Sequence, residues 1–563
     1  MRRPAVVKVA ALAARVSRVV AVVAVAVGLG AAFAGAAAAG QPGAASAGRG
    51  EAGQAQADDG RRLYEGTHPA LKAMLPRGAA STPLPPQQAA CVTCHRPSGL
   101  GSFEGEAAVP PIASGLLARP FDPATTRRYG PTARTAGGTA LLRVRPAYDA
   151  AALHRLLTEG RTPDDRDLGP LMPRYRLEPQ HSAALLEHLN RLGTAPTPGV
   201  DGEVVHFATV TTDEVPAAQA QELVQLLREF FARKNAQTRG EPQRRAAAQR
   251  TEHTMYARYR RWELHHWVLR GAPETWAAQL RKSYAQRPVF ALLSGRGGST
   301  WSPVHHFCES ERLPCLFPIT PWPGAAPGAP GFYSVYFSGG VPAQARWLAE
   351  TVLAAADAPG QPSSPSPWLV LAGEDDAGRQ LAMQVSAELG AAARAVGRAV
   401  TMAPHWRGEP VIVTSLPAAE VARRLAAQTT AAAASPRPAT ATVYLLAGAG
   451  VPDAAPVAWP PGVRVHWVTQ QDPQPGRLAR ARAWWRGQGL RPADEAQAAQ
   501  VLLAATAAVE SLVHVDERFS REYCLEKLEH NLENLPPMTG YPRLALGPGQ
   551  RLAAKSVWML AVP

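Results

Sequence analysis

Lysine is almost missing from this chain. Only Lys8, Lys72, Lys234, Lys282, Lys527 and Lys555 occur among 59 basic residues, set against 45 acidic ones in 563 positions. A formal charge of +14 would ordinarily raise the question of nucleic acid. An excess made almost wholly of arginine, beside 53 prolines and long alanine runs, reads instead as a coding bias spread thinly along the chain. Cysteine is scarce as well: five residues are too few for a disulfide scaffold. No Gly-x-x-x-x-Gly-Lys-Ser/Thr run occurs, which excludes a phosphate-binding P-loop. No Ser-His-Asp or paired-carboxylate constellation stands out, so the chain is expected not to be an enzyme and no catalytic residue is assigned. A short-period internal repeat is also lacking, which argues against a solenoid. With 46% apolar and 18% charged residues the chain is neither wholly disordered nor fibrous, and its length suits several folding units.

What is present begins at the amino terminus. Arg2, Arg3, Lys8, Arg15 and Arg18 precede an uncharged apolar stretch from Val19 to about Ala34, and small residues follow through Ala39. That order predicts an export signal over residues 1–39 that is cleaved, with no later stretch long and apolar enough to span a membrane. Residues 40–60 read as a flexible lead-in, 61–192 as a first globular unit, 193–202 as a Pro/Gly/Thr linker, and 203–563 as a larger second unit. The mature protein is expected in the periplasm.

Within the first unit lies Cys91-Val92-Thr93-Cys94-His95. In an exported chain, Cys-x-x-Cys-His is the attachment pattern of a covalent c-type haem. Two thiols anchor the vinyl groups, and the adjoining imidazole is placed at the iron. A redox dithiol would lack the histidine, and a zinc half-site would need a second pair, yet the next cysteine is Cys308. One haem c is therefore expected. Met172, in Leu168-Gly169-Pro170-Leu171-Met172-Pro173, is the candidate sixth ligand, since Met74 is the one other methionine of the unit and precedes the cysteines. A thioether opposite an imidazole raises the potential and closes both axial positions, which suits electron transfer.

These features resemble class I cytochromes c over about 61–192. Arg62-Leu63-Tyr64-Glu65-Gly66 is similar to that family's first helix, and Val109-Pro110-Pro111-Ile112 to its proline loop. The helical run Tyr148 to Glu159 before Gly160, the Met172-Pro173 loop and the run Ala183 to Leu192 complete the likeness. The resemblance implies an all-α unit with Pro110 or Pro111 near the proximal His95. A proline-rich insertion over 67–90 departs from the family pattern and is placed to cover one haem edge or to dock a partner.

In the second unit, β-rich runs at Val204–Val210, Pro288–Leu293, Leu313–Ile319, Tyr333–Phe337, Trp368–Ala372, Val411–Ser415, Thr442–Leu446 and Val463–Val468 alternate with helical ones, among them Ala217–Lys234, Val341–Ala356 and Gly378–Ala392. Such alternation predicts parallel α/β sheets in two lobes, about 203–338 plus a carboxyl-terminal return, and about 339–470. Ser294-Gly295-Arg296-Gly297-Gly298-Ser299 follows one strand as a glycine turn, read either as a carboxylate-binding turn or as an ordinary βα turn. The order of elements resembles the type-I periplasmic binding-protein fold of the Leu/Ile/Val receptors. That resemblance implies Gly295, Ser299, Thr320 and Tyr336 as ligand-binding positions for a small organic molecule. The family's usual glycine-rich segment after the first helix is replaced here by Phe230-Phe231-Ala232-Arg233-Lys234-Asn235 and an arginine-rich helical stretch, 239–261.

Of the remaining candidates, the 239–261 stretch reads as a solvated face or a patch for an acidic redox partner, not a nucleic-acid site. The pairs His265/His266 and His305/His306 read as structural, because adjacent residues on a helix point about 100° apart. Cys308 and Cys315 leave a disulfide open, and Cys524 reads as buried and free. Three readings follow: an electron carrier with a periplasmic redox partner protein and a binding module, a solute-binding or sensor protein whose haem reports redox state, or the cytochrome subunit of a periplasmic dehydrogenase.

Overall fold

Helix signals in the first unit are realised where the local chemistry demands them. In the computed structural model, which describes residues 58–77, 80–104, 107–121, 144–237, 260–324, 331–355, 368–374, 376–395, 411–431, 440–448, 457–513 and 519–562, a helix spans 58–65. The helix Ala150–Glu159 opens on Asp149, whose side chain accepts from Ala152 N at 2.7 Å, and closes on Gly160 in the left-handed region. The helix Pro179–Arg191 carries Pro179 in its first turn and buries Leu185, Leu186 and Leu189. It crosses the 58–65 helix at Gly60, where a Cβ would lie 2.2 Å from the Ala184 carbonyl oxygen. Leu63, Tyr64, Leu71, Leu153, Leu157 and Tyr175 complete one apolar cluster.

The unit is not all-α. The 67–90 insertion forms a hairpin, β1 (Ala73–Arg77) and β2 (Ala80–Leu84), and β3 (Ser102–Glu104) pairs with β4 (Ala107–Val109). Strand β1 also pairs with β5 (Arg174–Tyr175), joining Met74 to Arg174 in register. The insertion thus grips the segment that follows Met172, a long-range pairing that no local pattern announces.

The eight expected strands of the second unit are present as β6 (Val204–Thr212), β8 (Ala291–Leu293), β9 (Cys315–Leu316), β10 (Ser334–Val335), β11 (Trp368–Leu371), β12 (Val411–Thr414), β13 (Ala441–Leu446) and β14 (Val463–Thr469). Two more, β7 (Arg261–Leu269) and β15 (Trp558–Ala561), complete two five-stranded sheets. The first is wholly parallel, in the order β10-β9-β8-β6-β7. Every residue of β6 is buried, as a strand covered on both faces requires. Helices Ala217–Gln237, Glu495–Val513 and Arg521–Asn531 cover one face, and Trp276–Gln286 and Ser302–Ser310 the other. The second sheet, β11-β12-β13-β14-β15, is parallel except for β15.

Three expectations change. The carboxyl-terminal return divides: its helices cover the first sheet, but its final strand joins the second. The linker 193–202 is drawn onto the second unit, because Gly199 lies against β8's entry, where a Cβ would meet Phe290 N at 2.1 Å, and Arg521 holds the Pro198 and Val289 carbonyls. The Glu495–Val513 helix is long and apolar enough to cross a membrane, contrary to expectation, yet it is mostly buried as the core helix of the first lobe. The export signal, the lead-in before residue 58 and most of the 239–261 stretch lie outside the described residues.

Candidate functional site

Cys91, Cys94 and His95 share one short helix, Cys91–His95. Arg96 ends it in the left-handed region, with φ 68°. The helix carbonyls are held from outside: Ser102 Oγ donates to Cys94 O at 2.7 Å, and Gly101 N to His95 O at 3.1 Å. Gly101 itself, at φ 81°, must be glycine, since a Cβ would lie 2.1 Å from the Val109 carbonyl oxygen. That close approach brings the Pro110 carbonyl oxygen to 2.9 Å from His95 Nδ1. A carbonyl can only accept, so Nδ1 carries the proton and Nε2 keeps its lone pair. Burial pushes the imidazole down to about 4, so it is neutral at physiological pH.

Cys91 is buried, which pushes its thiol up to about 11. It lines an apolar crevice with Leu63, Leu71, Leu157, Tyr175, Leu177 and Leu185. Met172 packs against the same cluster. Its loop is pinned by Arg174, whose Nη1 donates to Met172 O at 2.7 Å and Nη2 to Leu168 O at 2.8 Å. Arg174 can lie there because position 160 is glycine: a Cβ would fall 2.2 Å from its Nε. The chain offers two thiols and one bare imidazole nitrogen on a single helix, and one thioether on a loop packed against the same apolar cluster, which are the donor types a covalently held haem would take.

The residues just after His95 are bound into the second unit. Arg96 pairs with Glu529, whose other oxygen accepts from Arg551 Nη1 at 2.6 Å. Arg96, Glu529 and Arg551 are 8%, 9% and 1% exposed. Ser98 donates through N and Oγ to Glu526 at 2.8 and 2.6 Å. Burial raises that carboxyl to about 7 despite the two bonds. Arg551 O in turn accepts from Tyr336 N at 2.9 Å, where the chain leaves the first sheet for the second. Sequence reasoning missed this network, and no local signal could have found partners 433 residues apart.

The four residues expected to hold a ligand are placed differently. Ser299 N and Oγ both donate to Glu214, at 2.8 and 2.5 Å, so an internal carboxylate already fills the glycine turn. Thr320 Oγ1 is buried in a local turn with Trp322, accepting from its N at 3.1 Å. Tyr336 is 1% exposed, and its hydroxyl lies 2.9 Å from His305 Nδ1. Gly295, at φ 117°, serves close packing, since a Cβ would meet Val210 O at 2.6 Å.

His305 and His306 sit on the Ser302–Ser310 helix with structural partners, Tyr336 and Ser302. His265 and His266 are not helical as expected: they occupy β7 and so face opposite sides of the sheet. His266 Nε2 lies 2.8 Å from Thr211 Oγ1 on one side, and His265 meets His206 on the other. Cys308 and Cys315 are buried neighbours in hydrogen-bond contact, not joined in a disulfide, and Cys524 is buried and free.

No family model matches the chain. No curated protein matches it either. Among solved structures the chain is similar to "a possible leucine/isoleucine/valine-binding protein" from Rhodopirellula baltica SH 1, with 12% identity over 65% of this chain and 98% of that one, at a TM-score of 0.42. It is similar to a branched chain amino acid ABC transporter protein from Thermus thermophilus with bound valine, at 12% identity, 65% and 94% coverage and TM-score 0.41. A fatty acid ABC transporter substrate-binding protein from Thermomonospora curvata is similar at 14% identity, 66% and 91% coverage and TM-score 0.41.

Proposed function

We propose that this protein is an exported electron carrier with one covalent haem c, mounted on a two-lobed body of the periplasmic binding-protein type. The observation that carries the reading is His95 on the same short helix as Cys91 and Cys94, with Nδ1 at 2.9 Å from the Pro110 carbonyl. Cys91 and Cys94 would anchor the group, and His95 Nε2 and the Met172 thioether would hold its iron. The haem, when bound, would supply a one-electron couple of raised potential. The chain's own work is positional. Pro110 fixes the imidazole tautomer, Arg174 fixes the thioether loop, and the leucines of the crevice keep water out. No catalytic role is assigned. A periplasmic redox protein is the expected partner.

Haem staining of the denatured protein, with a reduced-minus-oxidised spectrum, tests the proposal. Covalent haem in the native chain, its loss in C91A/C94A, and a lowered potential in Met172→Ala are the expected results. Absence of covalent haem after expression in a host that matures cytochromes c would overturn it.

The two-sheet α/β body favours a second reading, a periplasmic solute-binding or sensor protein in which the haem reports redox state. A small organic ligand would then raise the melting temperature through mass action. A thermal-shift screen with amino acids, amides and aromatic acids, run on the native chain and on Glu214→Gln, tests it. No shift in either protein sinks this reading and leaves the first intact. Co-purification of a dehydrogenase would make the chain that enzyme's cytochrome subunit.

A further inference from the structure

The first two strands of the second unit bring together a set of metal-ligand atoms on elements separate from the Cys91–His95 helix. In the parallel register of β6 and β7, His206 stands opposite Glu263, and His265 follows two positions later on the same face. His206 Nδ1 and His265 Nε2 are 3.1 Å apart, and His265 Nε2 and Glu263 Oε1 3.8 Å apart. All three ligand atoms lie within 4.8 Å of one another. Ligands at ~2.0–2.1 Å from a tetrahedral ion sit about 3.3 Å apart, so the two imidazoles already have the required separation.

The fourth member of the group sets the tautomer. Asp201 Oδ1 accepts from Glu203 N at 2.9 Å and Val204 N at 2.6 Å, which locks the carboxylate in place. Its Oδ2 is then held 3.3 Å from His206 Nε2. His206 donates its proton there, and its Nδ1 lone pair is left facing His265. Such a carboxylate–imidazole pair is the usual support behind a metal-bound histidine. Without an ion, His265 donates Nε2–H to His206. With one, His265 shifts its proton to Nδ1 and offers Nε2, so no net proton is lost.

Access and charge also agree. The His206 side chain is 8% exposed, whereas His265 is 22% and Glu263 42% exposed, so the group opens to solvent on the Glu263 side. Among the described residues Glu263 also pairs with Arg261 at 3.6 Å, a contact that is itself exposed and screened. Among the described residues Arg287 acts on His265, and Arg260 donates from Nε to the Asp201 carbonyl at 3.0 Å. Glu263 and Asp201 together balance a divalent charge.

We propose that His206, His265 and Glu263 form a divalent-metal site of the Zn2+ class, oriented by Asp201, at the start of β6 and β7. Two imidazoles and one carboxylate with a vacancy for water suit Zn2+ among the common ions. The site is independent of the haem and of the loops after the strands.

Calorimetric titration of the full-length, haem-loaded protein with Zn2+, with zinc and iron counted separately by mass spectrometry, tests the assignment. One zinc per chain is expected in the native protein, with iron unchanged. His265→Ala should abolish uptake, and Asp201→Asn should weaken it by about 10–100-fold. Glu263→Gln is the safeguard on folding, because its side chain is exposed: it should keep the native melting temperature yet lose affinity. Failure of the native chain to take up zinc would overturn the site. So would uptake that His265→Ala and Glu263→Gln leave unchanged.

Discussion

Replacing Glu529 with glutamine would keep the volume of a buried side chain and remove the carboxylate that Arg96 and Arg551 share. At 4 Å and an effective dielectric of ~20, each ion contact is worth about 4 kcal/mol before desolvation. The variant forfeits two such contacts, leaves two guanidinium groups facing one amide, and recovers only the cost of burying one carboxylate. Breaking buried pairs in this way typically costs about 3–5 kcal/mol, and that is the expected loss here. Stacking of Arg551 over Phe332, at 4.6 Å, and the neighbouring Glu526 place the result toward the lower end. Urea unfolding gives the assay a useful asymmetry. All 13 tryptophans lie beyond residue 200 and report only the second unit, while absorbance of the proposed haem would report the first. The native chain should unfold in one transition by both probes. E529Q should lose stability and show the first unit melting first, because Arg96 helps to fasten it to the second, together with Ser98 and Glu65. Replacing all three charged residues with methionine or leucine should cost far less than E529Q, since no unpaired charge remains. A loss below about 1 kcal/mol with coincident transitions would refute the reasoning.

Glu526 gives a pH test with a definite sign. Its carboxyl is raised from an ordinary 4.5 to about 7, so the folded chain holds the proton more tightly than the unfolded one. Its contribution is full below pH 4.5 and is lost as pH rises through 7, by up to about 3 kcal/mol. Glu526→Gln should flatten the slope of stability between those limits, and an unchanged slope would contradict the assignment. Gly60→Ala should destabilise the first unit by about 1–3 kcal/mol in a circular-dichroism melt, because its Cβ would press on a backbone carbonyl that cannot move aside. Arg174→Ala should leave the fold intact but make the 168–172 loop a new site for limited proteolysis, since two carbonyls lose a charged donor worth about 1.5–3 kcal/mol each.

How much was legible in the sequence follows from how local each signal is. Strand β6 and the helix Ala150–Glu159 were readable because a β-rich run and an amphipathic stretch closed by glycine are signals that act within a few residues. That Cys91, Cys94 and His95 share one short helix was readable for the same reason, since all three lie within five residues. Strand β7 was not, because the arginine-rich residues before it carry a helical pattern and its own burial alternates imperfectly. Strand β15 is four residues long and exists only by pairing with β14. The hairpin at 73–84 was hidden by its prolines, which usually argue against a strand but are tolerated in a short ribbon. The ligand positions Ser299, Thr320 and Tyr336 fall at loops in the expected order, but order does not reveal which partner a hydroxyl will find.

That partner is repeatedly an internal carboxylate, and the pattern bears on what the body can bind. Glu214 takes the Ser299 amide, Glu526 the Ser98 amide, Glu222 the Ala493 and Asp494 amides, and Glu309 the Phe332, Tyr333 and Ser334 amides. Loop N–H groups must be satisfied by something, and where no side chain reaches them water or a ligand does so. Here acids from distant positions close the loops from within. A carboxylate ligand approaching the 295–299 turn would have to displace Glu214 from two hydrogen bonds before making its own. Binding there would therefore be weak for acids and more favourable for a neutral amide or a cation that Glu214 itself could hold. Glu214→Gln, which removes the charge and keeps the shape, should shift any such preference back toward acids, and a ligand profile identical in both proteins would place binding elsewhere.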